Sequence, residues 1–379
     1  MPENTKAVPS ASETVSYSRL STYVECPAKY ANKYIKKIPV TTPVEDYFLK
    51  GTLAHRCIEE VLKGTEKEDA IRTIVPDWLL NDCHLPLITP DSEEWDLGID
   101  PDMLLSYALP VGKLMTRCMS NYKGEDAIRN NDGSVPQNIM DFPPGSYKAA
   151  YNKLALGGIR NEIDVRAVQA SLPFRRFSLA KLTALAVSYV LAFKVPGWVK
   201  ETVGVEYDLA AIPVVWDENT TWNGAIDWVV LNKEDKTILI DHKSEKKQAT
   251  PLQVTFHSQL NIYARLYYEQ TGKMPDYLGI NHLPSGELII AKVDPSVVLA
   301  NYNYWETIRS KIAFDRSQDS FAKQLPTKYN SPCIRRDWKS NVITQVCPYL
   351  TTCWPEYTRY LGPELEPFLT EQALNDEGI

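Results

Sequence analysis

Two aspartates and a lysine stand on two neighbouring strands that the sequence predicts in the second half of the chain. The first strand, 224–231, carries Asp227, and the second, 237–241, leads through Asp241 to Lys243. A polar turn joins the strands, so we expect an antiparallel hairpin in which the two carboxylates lie close together. Because side chains alternate along a strand, Asp241 and Lys243 point to the same side. Two carboxylates beside an ammonium can hold a divalent metal ion and support hydrolysis of a phosphodiester.

Four further polar residues accompany this pattern. Glu206 lies in the middle of a short upstream strand, and His55 lies on a helix near the N-terminus. Gln259 and Tyr263 are four residues apart on a downstream helix, so they share one face of it. Taken alone, an Asp-x-Lys strand end is more often a solvated exit, and a single histidine on a helix is more often a core residue. The combination favours a metal-dependent hydrolytic site.

Five segments, in this order, resemble the PD-(D/E)XK nucleases, and specifically the RecB-like branch that includes the AddB nuclease domain and the CRISPR-associated exonucleases. The segments are GTLAHRCIEE, the strand around Glu206, GAIDWVV, ILIDHKS and QLNIYARLY. They fall within residues 17–60 and 200–290. The resemblance implies an α/β fold with a restriction-endonuclease-like core, in which helices flank a mixed central sheet. It also implies a helical insertion, and N- and C-terminal segments joined by a metal cluster.

The resemblance further implies roles for individual residues. It implies a Mg²⁺ or Mn²⁺ site with four ligands: His55, Asp227, Asp241 and the backbone carbonyl of His242, whose side chain is expected at the surface. The implied catalytic set is Asp227, Asp241, Lys243, Glu206, Gln259 and Tyr263. In this scheme Glu206 acts through a metal-bound water, and Lys243 orients the attacking water or helps to deprotonate it. Gln259 and Tyr263 position Lys243 or a DNA phosphate.

Four of the seven cysteines form a second pattern: Cys26 in an N-terminal Cys-Pro pair, and Cys333, Cys347 and Cys353 near the C-terminus. RecB-like nucleases with a [4Fe–4S] cluster use one N-terminal and three C-terminal cysteines, so the resemblance assigns these four as ligands. The 13 residues between Cys333 and Cys347 exceed the usual family spacing, which implies an enlarged loop or a different ligand. The alternatives are a structural Zn²⁺ ion bound by four thiolates, or simply buried thiols.

The composition is that of an ordinary globular protein, with 44% hydrophobic and 23% charged residues in a chain of 379. The net charge of −7 argues against nucleic-acid binding by the whole surface, but it leaves room for a local basic groove. No apolar run approaches the roughly 20 residues that span a bilayer, so we expect no membrane partner. The polar N-terminus lacks a secretory core. We therefore expect a cytoplasmic protein of a bacterial or phage-infected cell, with reduced, metal-bound or buried cysteines.

These features, with the resemblance, predict a metal-dependent DNA exonuclease acting on single-stranded or duplex ends in recombination, repair or phage DNA metabolism. The chain has no phosphate-binding loop of a motor ATPase, so a helicase or recombination protein would have to be a separate partner. Two alternatives remain open. One is a nuclease fold that serves as a catalytically weak DNA-binding or assembly module, and the other is a structure- or sequence-specific endonuclease.

The predicted organisation has six segments. They are a flexible arm, 1–15; N-terminal helices with the first cluster cysteine and the histidine motif, 16–63; a helical insertion, 64–200; the nuclease core, 201–318; the C-terminal cysteine segment, 319–362; and an acidic tail, 363–379. Within the core, one helix, 251–270, is expected to pack Leu252 and Phe256 inward.

Overall fold

The computed structural model describes residues 13–38, 46–83, 101–121, 174–209, 212–214, 217–245, 247–324, 333–336 and 343–355. Most of the predicted arm, the acidic tail and parts of the predicted insertion lie outside these ranges. Within them, no helix combines the length and the apolar character needed to cross a membrane.

Ten strands and ten α-helices occur in the described residues. The strands are β1 (Glu13–Val15), β2 (Val199–Asp208), β3 (Ile212–Val214), β4 (Asp217–Trp222), β5 (Ala225–Asn232), β6 (Thr237–Lys243), β7 (Tyr277–His282), β8 (Glu287–Lys292), β9 (Ile334–Arg336) and β10 (Ile343–Val346). The helices are α1 (Tyr17–Glu25), α2 (Pro27–Tyr30), α3 (Asp46–Leu62), α4 (Lys67–Asn81), α5 (Pro101–Asn121), α6 (Phe174–Ala192), α7 (Pro251–Thr255), α8 (Ser258–Thr271), α9 (Pro295–Ser317) and α10 (Leu350–Cys353). A π-helical segment, Ala31–Ile35, continues α2.

A five-stranded mixed sheet, in the order β2-β5-β6-β7-β8, forms the centre of the described structure. β5 and β6 form the predicted antiparallel hairpin. β6 pairs in parallel with β7, because α7 and α8 carry the chain back across the sheet between them. β6 is therefore a central strand whose end is enclosed by neighbours on both sides.

Helices cover both faces of the sheet, and each face has its own hydrophobic core. One core contains Ile240 together with residues of α3, α4, α5 and α6. The other contains Leu239 together with residues of α1, α8 and α9. The alternation of strand side chains continues beyond these apolar residues. Asp241 consequently shares the side of Leu239, whereas His242 shares the side of Ile240.

The predicted helix 251–270 is two helices, so the prediction of one continuous helix was wrong. α8 begins anew with His257 as its N-cap, whose Nδ1 accepts a hydrogen bond from the amide of Leu260 at 3.4 Å. The break falls at Phe256 and interrupts the apolar stripe. Leu252 and Phe256 are consequently 68% and 59% exposed, rather than packed inward as expected.

A glycine lets α5 approach α6 closely. A Cβ on Gly112 would lie 2.5 Å from Cγ1 of Val187 and 3.2 Å from the backbone oxygen of Ala184. We expect Gly112→Ala to lower the free energy of unfolding by about 1–3 kcal/mol through overpacking, measured by chemical denaturation. Gly197→Ala is the matched control, because a Cβ there meets no atom within 4 Å. Equal losses in the two variants would contradict the packing explanation.

The N-terminal segment packs against α9 and leads towards the C-terminal hairpin. The hydroxyl of Tyr23 in α1 donates a hydrogen bond to Asp315 of α9 at 2.5 Å. α1 ends at Cys26 before Pro27, which confirms the predicted interruption of this helical segment. β1 joins β4 and β3 in a small second sheet, and β9 pairs antiparallel with β10.

Candidate active site

Asp227 and Asp241 face each other at one end of the β5–β6 ladder. The pairing of Trp228 with Ile240 places the two aspartates directly across from one another. The backbone amide of His242 donates a hydrogen bond of 2.6 Å to Oδ2 of Asp227. The two carboxylates are therefore held together by the register of the hairpin itself.

Lys243 completes a chain of polar contacts on the same side of the sheet. Its Nζ lies 2.7 Å from Oδ2 of Asp241. The same ammonium donates to Oε1 of Gln259 at 3.1 Å, and Nε2 of Gln259 donates to the hydroxyl of Tyr263 at 3.1 Å. Gly224 keeps space for this tyrosine, because a Cβ there would lie 2.9 Å from its Cε1. The side chains one helical turn apart on α8 thus form a relay that fixes the direction of the ammonium.

His55 reaches the same site from α3, on the opposite side of the sheet. Its Nδ1 lies 3.4 Å from Oδ2 of Asp227, and its ring forms a hydrogen bond with the backbone carbonyl of His242. Burial lowers the pKa of His55 below 6.5, and the attraction of Asp241 opposes this shift only in part. The imidazole is therefore mainly neutral at pH 7, which is the form that binds metals.

Glu206 lies across the sheet from Asp227, on β2. The flanking pairs Val205–Trp228 and Tyr207–Ile226 set this register. Glu206 has a φ of +48°, in the left-handed region that a non-glycine residue seldom adopts. Such strain occurs preferentially at functional sites, where the surrounding structure enforces it.

The acids of the site lack positive charge. Burial raises the pKa of Asp227 above 3.8, and repulsion from Asp241 raises it further. Desolvation raises the pKa of the exposed Glu206 to about 7, with repulsion from Asp227 and Glu59 adding to the shift. For Lys243, burial acts to lower the pKa, but the attraction of Asp241 outweighs it and raises the pKa above 10.5. These shifts are those of a site that favours the uptake of a cation or of protons.

The donor chemistry of the site fits a divalent cation. Oδ2 of Asp241 is buried and accepts no hydrogen bond from a described residue. Carboxylate oxygens are the ligands that Mg²⁺ prefers, and an imidazole nitrogen also suits Mn²⁺. The side chains do not form a ready cage, however: within the described ranges, no group of three or more His, Cys, Asp or Glu residues is arranged to hold a metal ion. The ammonium of Lys243 provides the positive charge beside Asp241.

His242 is buried, so the expectation of a surface side chain was wrong. The residue is 2% exposed and its ring stacks on Trp228. The amide of Asn281 on β7 lies 2.8 Å from its Nδ1, whereas its Nε2 has no hydrogen-bond partner among the described residues. Burial holds the pKa of His242 well below 6.5, which keeps the ring neutral. Its position on a strand enclosed on both faces accounts for the burial.

The N-terminal part of the chain matches a known family. Residues 14–107 match the family model of the PD-(D/E)XK nuclease superfamily. A comparison with curated proteins found no match. The match to the superfamily indicates a nuclease and implies DNA as the substrate, and the five-stranded mixed sheet between helices fits a restriction-endonuclease-like fold. The matched residues include Cys26 and His55, whereas Asp227 and Asp241 lie outside them.

Cys26, Cys333, Cys347 and Cys353 share one neighbourhood away from the acids. Cys26 lies between α1 and α2, Cys353 ends α10, and the other two flank the β9–β10 hairpin. The amide of Cys347 donates to the carbonyl of Cys333 at 2.7 Å, so the 13 intervening residues leave and return to the same place. Burial raises the pKa of Cys333 to about 12, and the other three thiols lie near enough to add to that shift.

Two asparagines at these sites were not identified from the sequence. Nδ2 of Asn32 donates to Sγ of Cys353 at 3.5 Å, and Asn281 contacts His242 as described above. Each contact joins segments that are distant in the chain. The sequence carries no local signal for the parallel pairing that places Asn281, and only the neighbouring Cys-Pro pair draws attention to Asn32.

Proposed function

We propose that the protein is a metal-dependent DNA exonuclease that hydrolyses phosphodiester bonds at DNA ends. One observation supports this best: Asp227, Asp241 and His55, from two strands and a distant helix, meet at one end of the β5–β6 ladder beside an ammonium. The superfamily match, which indicates a nuclease, supports the same reading. The finer assignment to DNA ends rests on the resemblance of the Gln259 helix and of the strand ending at Lys243 to RecB-like exonucleases.

Asp227, Asp241, His55 and the backbone carbonyl of His242 would hold Mg²⁺ or Mn²⁺. When bound, such an ion activates a water molecule and polarises the phosphate oxygens. Lys243 orients the attacking water and offsets negative charge that develops on the phosphate. Gln259 and Tyr263 hold the ammonium in that direction through their hydrogen bonds. Glu206, across from Asp227, positions a water from the other side.

We also propose that the four neighbouring cysteines hold a structural [4Fe–4S] cluster, with a Zn²⁺ ion as the alternative. Thiolates are the ligands of both. The return of the β9–β10 hairpin to Cys333 accounts for the wide spacing, and it favours an enlarged loop over a different ligand. The cluster would join the N- and C-terminal segments and take no part in the chemistry. A helicase or recombination protein would be a separate partner in recombination, repair or phage DNA metabolism.

Metal binding should reverse a destabilisation that appears as the pH rises. The raised pKa values of Asp227 and Glu206 mean that the folded protein keeps protons that the unfolded chain releases near pH 4. In metal-free protein, the free energy of unfolding therefore falls as the pH rises from about 4 through about 7. We expect Mg²⁺ or Mn²⁺ to raise the Tm more at about pH 8 than at about pH 5.5. Asp227→Asn should lose this gain, and an equal gain in the variant would place the cation elsewhere.

A digest of end-labelled DNA tests the function directly. Linear single strands and duplexes are incubated with Mg²⁺ or Mn²⁺, and circular DNA of the same sequence serves as the control. Release of short products from linear DNA with intact circles is the expected result. Cleavage of circles would identify an endonuclease instead. Binding of DNA without metal-dependent cleavage would overturn the catalytic proposal and leave a DNA-binding module.

A further inference from the structure

A cavity of about 180 Å³ lies against Lys243, and the proposed mechanism does not use it. Its volume is below the roughly 300 Å³ of the smallest typical ligand sites, so it suits a group the size of a phosphate better than a nucleoside. The polar residues that line it include Glu245, Lys247, Gln253 and His257. They come from the end of β6, from the loop that follows it, and from the α7–α8 connection.

Lys247 gives the cavity a free positive charge. The side chain is exposed, and it forms no ion pair or hydrogen bond with any residue in the described part of the chain. The neighbouring Lys243 shares its charge with Asp241 at 2.7 Å. An uncompensated ammonium at the rim of a small polar cavity attracts an anion.

His257 contributes a hydrogen-bond donor whose orientation is fixed. Its Nδ1 accepts the capping hydrogen bond from the amide of Leu260, so in the neutral ring the proton must lie on Nε2. Burial lowers the pKa of His257 below 6.5, so the ring is mainly neutral at pH 7. Nε2 donates to no described residue. The helix cap thus leaves an N–H group for a ligand of the cavity.

The remaining titratable groups set the balance of charge. Both ring nitrogens of His282 are engaged, with the backbone oxygen of Glu245 at 2.8 Å and Oγ of Ser285 at 2.8 Å. This histidine is therefore not available to a ligand. The carboxylate of Glu245 also lines the cavity and opposes an anion there. Removal of that carboxylate should consequently strengthen anion binding, whereas removal of the Lys247 ammonium should weaken it.

We propose that this cavity binds a phosphate group of the DNA strand next to the scissile phosphodiester, with Lys247 and Nε2 of His257 as donors. The proposal rests on the proposed nuclease function and names a substrate contact of the same site. Phe256, directly before His257, is 59% exposed. An exposed aromatic ring beside a phosphate-binding cation is how proteins hold single strands, with a base on the ring and the backbone on the charge. The substrate class is therefore single-stranded DNA.

Binding measurements on four variants test the proposal. Fluorescence anisotropy with a labelled single strand, in a chelator that prevents cleavage, is recorded over a range of salt concentrations. Lys247→Gln should weaken binding about fivefold to tenfold and reduce the salt slope by about 0.7, the value for one lost phosphate contact on a single strand. His257→Asn keeps an N-cap but loses the N–H donor, so it should weaken binding with little change in slope. Glu245→Gln should tighten binding, which a loss of folding cannot mimic. Lys273→Gln, an exposed lysine outside the cavity, should bind as wild type does.

The form of the DNA identifies which phosphate is bound. Four single strands are compared: linear with a 5′-phosphate, linear with a 3′-phosphate, linear with neither, and circular. Weakening by Lys247→Gln that is confined to one phosphorylated strand supports a terminal phosphate. Equal weakening for all four supports an internal phosphate. If Lys247→Gln and Glu245→Gln bind all four as wild type does, the proposal is overturned. A wild type that cleaves DNA while both variants behave normally would overturn this site alone and leave the nuclease proposal standing.

Discussion

Replacement of Asp241 by asparagine should abolish cleavage of linear DNA while leaving DNA binding intact. Asp241 is 3% exposed, faces Asp227, and lies 2.7 Å from the Lys243 ammonium. The amide keeps the shape of the side chain but has no charge with which to hold a cation or the ammonium. A bound metal contributes several kcal/mol to catalysis, and each 1.36 kcal/mol is a factor of ten. We therefore expect single-turnover release of label to slow by at least about a thousandfold.

Asp235→Asn is the matched control for this substitution. Asp235 lies in the turn of the same hairpin, at the far end from the site, and pairs on the surface with Lys200. Its φ of +59° is one that asparagine tolerates well. We expect this variant to cleave DNA at about the wild-type rate. Full activity in Asp241→Asn would remove Asp241 from the catalytic set. A normal Tm in Asp241→Asn would show that its loss of activity is not a loss of folding.

The parts of the site that sequence patterns predicted are the local ones. The apolar run before Asp241 and the polar turn after Asn232 specify a hairpin. The two-residue period of a strand then puts Asp241 and Lys243 on one side. The four-residue spacing of Gln259 and Tyr263 likewise gives a shared helix face. Each of these relations is set within a few residues, so it can be obtained without knowledge of the fold.

The parts that could not be predicted depend on contacts between distant segments. The burial of His242 follows from its place between β5 and β7 and beneath α3, and no local pattern encodes those neighbours. The break of the helix 251–270 arises because the His257 side chain caps a new helix, although histidine is not a usual N-cap residue. The return of the chain from Cys347 to Cys333 required the β9–β10 pairing. The convergence of His55 with the acids came only from a family resemblance, because about 170 residues separate His55 from Asp227.

Replacement of Cys347 by serine should remove the brown colour of protein purified without air and most of its soluble yield. A cluster on the four cysteines would close a loop from Cys26 to Cys333. On the chain-entropy model, a cross-link over a loop longer than 100 residues removes about 5 kcal/mol of disorder from the unfolded state. That amount is comparable with the whole net stability of many domains, which is about 5–15 kcal/mol. Loss of one ligand should therefore reduce folding as well as cluster content.

Cys83→Ser is the matched control, because Cys83 lies in the core between α3 and α4 and outside the thiol group. It should keep the colour and the iron content of the wild type. Metal analysis separates the possible cofactors: iron with acid-labile sulfide identifies the cluster, whereas zinc in a colourless protein identifies the alternative. A colourless wild type that holds neither metal would contradict both and leave four buried thiols. Because these thiols lie apart from Asp227 and Asp241, any Cys347→Ser protein that still folds should cleave DNA with an unchanged metal requirement. A changed requirement would instead link the cysteine site to the chemistry.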